Sequence, residues 1–254
     1  MGLTLLLTLV MNASTAAPPG APGPSAGRLK EDWNAWRKDT RKIESSGPHG
    51  KFTYYVHTPP GYAEGAKQGK RYPVLVVLHW SFVTGPEYLH YWREDADRRG
   101  VILVAPNSKG RGSWLPADGD NLAQLTGELK AGYSVDRDRI WVAGYSAGAV
   151  FIYYLAFKHP EVFHAGLVNG GRIRRHRPLL PTDKGKKPMR LCIFHGRWDK
   201  NIHFDEAEGD AIELRQHGYG VTLYPIDRFG HWIPRTLGDP MLDCLEGKSP
   251  GRAP

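Results

Sequence analysis

Cysteine is scarce in this chain, with two residues, Cys192 and Cys244, among 254. Two thiols cannot build a disulfide-dense miniature scaffold or a four-thiolate zinc site. Long apolar runs are also missing. None reaches the roughly 20 residues that span a bilayer, which excludes a polytopic membrane protein and stable insertion. Neither glycine nor proline dominates: 30 Gly and 20 Pro stand beside 41% hydrophobic and 24% charged residues. That balance excludes collagen, a coiled coil and wholesale disorder, and leaves a loop-rich globular protein. The length fits one ordinary domain, or at most two small ones.

Acid is what one segment lacks. The net charge is +8, and between Arg172 and Arg190 eight cations (Arg172, Arg174, Arg175, Arg177, Lys184, Lys186, Lys187 and Arg190) face Asp183 alone. Nearly all the excess charge therefore sits in one loop-like stretch. A nucleic-acid binder spreads its cations along a groove or helix and interleaves aromatics for stacking, so nucleic acid is not the expected partner. The segment reads as a solvated loop, or as a patch whose field attracts anionic substrates.

At the N-terminus, Leu3 to Val10 (LTLLLTLV) has the length of a signal h-region, and small residues follow from Ala13 to Ala17, although no charged n-region precedes the run. Residues 1–17 are expected to be a signal peptide and 18–30, with its PPGAPGPSAG tract, a flexible linker. A single domain over 31–250 is expected, in a secreted or periplasmic protein. Export would let Cys192 and Cys244 pair; a buried free thiol at Cys192 is the alternative.

The charged stretch Lys30 to Glu44 suggests a short helix. Phe52 to His57, Pro73 to His79, Val101 to Ala105, Ile140 to Ala143, Ala165 to Val168, Leu191 to Phe194 and Val221 to Tyr224 read as strands, several as continuous apolar runs typical of strands covered on both faces. Helical patterns at Glu87–Arg99, Asn121–Tyr133, Ala147–His159 and Phe204–His217 alternate with them. The fold class is α/β, a mostly parallel sheet with helices on both faces. Sites in such sheets form at the C-terminal ends of the strands.

Three short segments fall at such ends. Gly144-Tyr145-Ser146-Ala147-Gly148 follows the strand IWVA and precedes an apolar helix. That is G-x-S-x-G in the strand–turn–helix setting that lifts a serine above a sheet and aims helix N-terminal N–H groups at the same spot. Asp199 follows LCIF and His231 follows VTLYPID. Alone, such an Asp is most often a loop or cap carboxylate, and such a His is more often structural or merely solvated than catalytic. In the order Ser146, Asp199, His231, separated by 53 and 32 residues, they form a set. A serine needs a base within hydrogen-bond reach, and the base needs an acid to fix its tautomer.

These residues carry a resemblance. With YYVHTPPGY (Tyr54 to Tyr62), RYPVLVVLHW (Arg71 to Trp80), VAPNS (Val104 to Ser108) and VDRDRIWVAGYSAGA (Val135 to Ala149), the chain resembles α/β-hydrolase serine esterases over roughly residues 50 to 235. More narrowly, it resembles the group of polyhydroxybutyrate depolymerases and feruloyl and acetylxylan esterases. The resemblance implies a Ser146–His231–Asp199 triad and an ester substrate, small or polymeric, with no cofactor or metal. It implies oxyanion donors at Ala147 and at Trp80 or Ser81, although His79-Trp80-Ser81 departs from the His-Gly the group usually carries there. Trp80, Trp114, Trp198 and Trp232, with Tyr145, are candidates to line a pocket or to pack beneath it. The basic segment lies where this fold often caps its pocket, and a cationic lip there would favour acidic esters. His195 and His203 lack zinc spacing and read as structural. Two other functions keep the same residues: a peptidase resembling the prolyl-oligopeptidase catalytic domain, and a hydrolase-like binding protein. The oligomeric state stays open.

Overall fold

The computed structural model describes residues 40–110, 112–182, 189–232 and 234–249. The expected signal peptide, linker and first part of the 30–44 helix lie outside them. The chain divides into two units, Met1–Lys38 and Asp39–Pro254, and everything below concerns the second.

The second unit is built on one eight-stranded sheet. Its strands are β1 (Thr40–Gly47), β2 (Gly50–His57), β3 (Tyr72–Leu78), β4 (Ile102–Pro106), β5 (Val135–Tyr145), β6 (Ala165–Asn169), β7 (Arg190–Gly196) and β8 (Val221–Ile226). Their order is β1-β2-β4-β3-β5-β6-β7-β8. From β4 through β8 every pairing is parallel, while the β1–β2 hairpin runs antiparallel on the β4 side.

Among the described residues six α-helices accompany the sheet: α1 (Tyr62–Lys67), α2 (Gly85–Arg99), α3 (Pro116–Gly132), α4 (Ala147–Lys158), α5 (Phe204–Gln216) and α6 (Gly238–Glu246). The alternation along β3 assigns them to faces. Val74, Val76 and Leu78 join the core with α3, α4 and α5; Leu75 and Val77 join a second core with α2 and α6. Both faces of β3 are thus dry, which is why PVLVVL is a continuous apolar run rather than an alternating one. α4 is apolar nearly all round because it lies buried against the sheet from Gly148 to Phe157. No helix among the described residues is long and apolar enough to cross a membrane.

The structure departs from the sequence expectations in several elements: helices α1 and α6 have no counterpart in them, β5 begins at Val135 rather than Ile140, and two further elements differ in type or extent. Thr40–Glu44, expected to end a helix, are part of strand β1, held by pairing with β2 from Thr40↔His57 to Gly47↔Gly50. The Ser45 hydroxyl and the Tyr54 hydroxyl both donate to Glu128 on α3, fastening the hairpin to the domain. Helix α3 starts at Pro116 rather than Asn121. Proline suits a first turn, whose N–H has no helical partner, and the Asp118 carboxylate accepts the N–H groups of Leu115 and Lys109 there.

Cys192 on β7 and Cys244 on α6 form a disulfide, closing a separation of 52 residues inside the α2–α6 core. Loop closure of that length is worth about 4 kcal/mol against the unfolded chain. The Cys192→Ala/Cys244→Ala variant is expected to lose stability on that scale in urea denaturation. Equal stability of variant and wild type would show that the bridge does not form.

Candidate active site

The turn after β5 carries Ser146 at φ 52°, a left-handed conformation that non-glycine residues rarely adopt. Surrounding structure holds it there. The Ser146 N–H donates to the Asn169 carbonyl at the end of β6 (2.9 Å), and the Ser146 carbonyl accepts from Val150 in the first turn of α4 (2.9 Å). Gly148 has to be glycine, because a Cβ there would collide with the Leu78 carbonyl oxygen of β3. The helix therefore presses directly onto the strand end, with Ser146 half-buried above the sheet.

The other two residues arrive on adjacent loops. β7 ends at Gly196, where a Cβ would strike the carbonyl oxygens of Phe229 and Gly230. That close approach, with the Trp198 N–H donated to Phe229 O (2.8 Å), draws the His231 loop against the Asp199 loop. The resulting chain of contacts is short. His231 Nε2 lies 3.0 Å from Ser146 Oγ, and His231 Nδ1 lies 2.6 Å from Asp199 Oδ2.

Asp199 is almost fully enclosed and its carboxylate is fully subscribed. Oδ1 accepts the N–H groups of Asn201 (2.8 Å) and Ile202 (3.0 Å). Oδ2 faces His231 and also the buried His195, whose Nε2 is 3.3 Å away and donates to the Ile202 carbonyl (2.8 Å). Burial alone would push the carboxyl pKa up. The hydrogen bonds from His195, His231 and the Ile202 N–H outweigh it and hold the group well below the usual carboxylate range. Asp199 is thus an anion at neutral pH. His195, a structural histidine in the sequence reading, is packed directly against this acid.

A cavity of about 310 Å³ opens onto Ser146. Ser146 and Ala147 line it with Ser81, Ser113, Val150 and Ile202. Ser81 also donates its hydroxyl to Gly112 O (2.6 Å), tying the β3 loop to the loop before α3. The expected aromatic residues divide into two groups. Trp114 is buried, donates Nε1–H to His79 O (2.9 Å) and stacks on Phe151. Trp80 packs edge-on against Tyr88 and Tyr145 and is not among the cavity-lining residues. Tyr145 is buried beneath the site and donates its hydroxyl to the His231 carbonyl (2.5 Å), so it touches the His231 loop rather than the cavity. Trp198 and Trp232 are 63% and 53% exposed.

Sequence reasoning missed Ser113, Val150 and Ile202 on the cavity wall, and Phe82, which stands 86% exposed beside Ser81 at φ 66°. No pattern marks these positions; only the meeting of three loops with the first turns of α4 does. His79 is a further case. Its Nε2 accepts the Ser108 N–H (3.2 Å) and its Nδ1 bonds to Trp80 O (2.8 Å), so the ring braces the Trp80–Ser81 turn. Burial lowers its pKa, keeping it neutral. A larger cleft of about 580 Å³ lies at the opposite ends of β5 and β7, around Arg139, His164 and Arg190, away from all three residues.

No protein-family model matches the chain. Among curated proteins it is 24% identical over 167 residues to a bifunctional acetylxylan esterase/xylanase of Neocallimastix patriciarum, covering 61% of this chain and 22% of that protein. It is 25% identical to feruloyl esterase B of Neurospora crassa, covering 59% of this chain and 66% of that one. Other relatives are acetylxylan esterases and a poly(3-hydroxyalkanoate) depolymerase. The chain thus spans less than two thirds of the length of these relatives. Among solved structures, the acetyl xylan esterase of Aspergillus awamori superposes with a TM-score of 0.64 at 15% identity, over 77% of this chain and 94% of that one. A putative dipeptidyl aminopeptidase IV of Bacteroides ovatus gives 0.65 at 19% identity, over 82% of this chain and 36% of that one. In fold the chain is an α/β-hydrolase, and in sequence it is similar to acetylxylan esterases, feruloyl esterase B and a polyhydroxyalkanoate depolymerase.

Proposed function

We propose that the protein is an exported serine hydrolase of carboxylic esters. The observation that carries the reading is the 3.0 Å separation of Ser146 Oγ and His231 Nε2, with Asp199 behind the ring at 2.6 Å. In this mechanism Ser146 Oγ attacks the ester carbonyl carbon while His231 Nε2 takes its proton. The carbonyl electron pair moves onto oxygen, and backbone N–H groups receive that charge: Ala147 at the start of α4, and Trp80 or Ser81 from the turn braced by His79. Collapse expels the alcohol, protonated by His231. Water then attacks the acyl-serine with His231 again as base, releasing the acid and restoring Ser146. Asp199 keeps the imidazole oriented and stabilises the imidazolium.

Ester substrates are favoured over peptides because the curated relatives are, by name, acetylxylan esterases, a feruloyl esterase and a poly(3-hydroxyalkanoate) depolymerase. Residues 1–17 as a leader, with the catalytic domain following the linker, deliver the protein to an oxidising compartment, where a Cys192–Cys244 bridge persists.

A fluorophosphonate probe tests the chemistry and a substrate pair tests the bond. The expected result is covalent labelling of the Ser146 peptide, with rapid turnover of 4-nitrophenyl acetate and little of acyl 4-nitroanilides. Absence of labelling would leave a binding protein; preferential anilide cleavage would make it a peptidase.

A further inference from the structure

The cavity at Ser146 has a charge that the ester reading alone does not explain. Besides the serines and aliphatic groups, its wall carries Arg172, Arg174 and Arg175, and among the described residues no Asp or Glu lines it. Three cations on one side of a small cleft repel one another unless something neutralises them.

The segment bearing them is anchored, not loose. It follows β6, its residue Ile173 is buried, and the Ile173 N–H donates to Asp210 Oδ2 on α5 (2.8 Å). The chain then turns into a 3₁₀ helix over Arg174–Leu179. Flanking arginines are already engaged. Arg172 Nη1 contacts both oxygens of Glu206 at 2.9 and 3.0 Å. Arg177 bonds Glu213 and Asp210. Among the described residues no carboxylate pairs with Arg174 or Arg175. Among the described residues Arg175 engages only through its Nε, which donates to His176 Nε2 (3.3 Å). Burial first, and then Arg175 itself, push the His176 pKa down to about 4, so its ring is a neutral acceptor at neutral pH. Such a contact orients the guanidinium and leaves its four terminal N–H donors free. That end-on fork has the geometry carboxylates accept in bidentate fashion.

We propose that the natural substrate is an ester bearing a carboxylate, and that Arg175 and Arg174 bind that carboxylate while Ser146 attacks the ester carbon. The inference rests on the ester-hydrolase reading and sharpens it to anionic esters. Arg174 also borders a neighbouring cavity with Asp205 and Glu206, so single variants apportion the effect between the two forks.

The test compares kcat/KM of the full chain on matched pairs. On the acyl side the pair is mono(4-nitrophenyl) adipate and 4-nitrophenyl hexanoate; on the alcohol side it is 4-acetoxybenzoate and 4-acetoxybenzamide. Wild type should prefer the anionic member of one pair, and added salt should shrink that preference. Arg174→Gln/Arg175→Gln should lower the anionic-to-neutral ratio in that pair by roughly tenfold, as expected for charge-assisted bonds that remain partly exposed. Arg137→Gln, which removes one positive charge, as each single variant of Arg174 or Arg175 does, from an exposed position at the far end of β5, should leave the ratio unchanged. Turnover of neutral esters with an unaltered ratio in the double variant would overturn this inference and leave the ester reading intact. An equal drop in Arg137→Gln would also overturn it, by reducing the effect to net field. Failure of wild type to cleave any of the four esters would overturn both.

Discussion

Ser146→Ala should lower kcat on 4-nitrophenyl acetate by about six orders of magnitude, the scale on which removal of a triad nucleophile operates. The size follows from what the hydroxyl alone supplies. Ala147, the Ser81 turn and the cavity wall remain in the variant, so oxyanion stabilisation and binding survive. Without Oγ no acyl-enzyme forms, and His231 is left to activate water directly, a residual route worth about 10³ to 10⁴ over solution. The substitution should be close to neutral for folding. The substituted alanine would inherit the φ of 52° and the N–H bond to Asn169 O, and no buried partner of Oγ other than His231 is abandoned. An unchanged thermal midpoint beside the loss of turnover is therefore expected. Residual activity within tenfold of wild type would mean that another residue is the nucleophile.

Asp199→Asn should cost about 10⁴ in kcat. The geometry specifies how. Oδ1 of Asp199 accepts two backbone N–H groups, from Asn201 and Ile202, and the amide oxygen of asparagine must keep that position. The amide NH₂ then faces His231 Nδ1 and His195 Nε2, where Oδ2 stood. Facing a donor, Nδ1 gives up its hydrogen, so the proton moves to Nε2 and points at Ser146, and the base is in the wrong tautomer. His195 meets a donor as well.

Stability should change in a pH-dependent way. The folded-state pKa of Asp199 is lowered. Its contribution is therefore fully present above the unfolded value of about 4 and is lost as pH falls below it. The thermal midpoints of wild type and Asp199→Asn should differ most at neutral pH and converge in acid. A gap that widened on acidification would show that the carboxylate is not stabilised in its charged form.

The legible parts of this molecule are those whose signal is local. Residues buried on both faces of β3 have to be apolar in succession, and a strand followed at once by a tight glycine turn and an apolar helix has few other readings. Ser146, Asp199 and His231 are visible because each follows such a strand; their distances are not, because these depend on how closely Gly196 lets two loops approach. Strand β1 is hidden because TRKIESSG has no pattern of its own: only Ile43 packs on the core, and pairing with β2 supplies the rest. The tryptophans show the same limit. Trp114 and Trp198 both follow strand ends, yet one is buried and the other lies open to solvent. The disulfide depends on α6 crossing β7, which no spacing of two cysteines announces.

The outermost strands bear on how copies of this protein meet one another. Among the described residues β1 and β8 each have a single neighbour in the sheet, so the outer edge of each carries no further strand. β8 contains Pro225, which has no N–H to offer an added strand. β1 shows Arg41, Lys42 and Glu44 on exposed positions, and bringing such charges against a flat partner strand costs desolvation. Growth of the sheet from one molecule into the next is thereby discouraged at both ends, and a concentrated solution of the folded unit should resist fibril-like stacking.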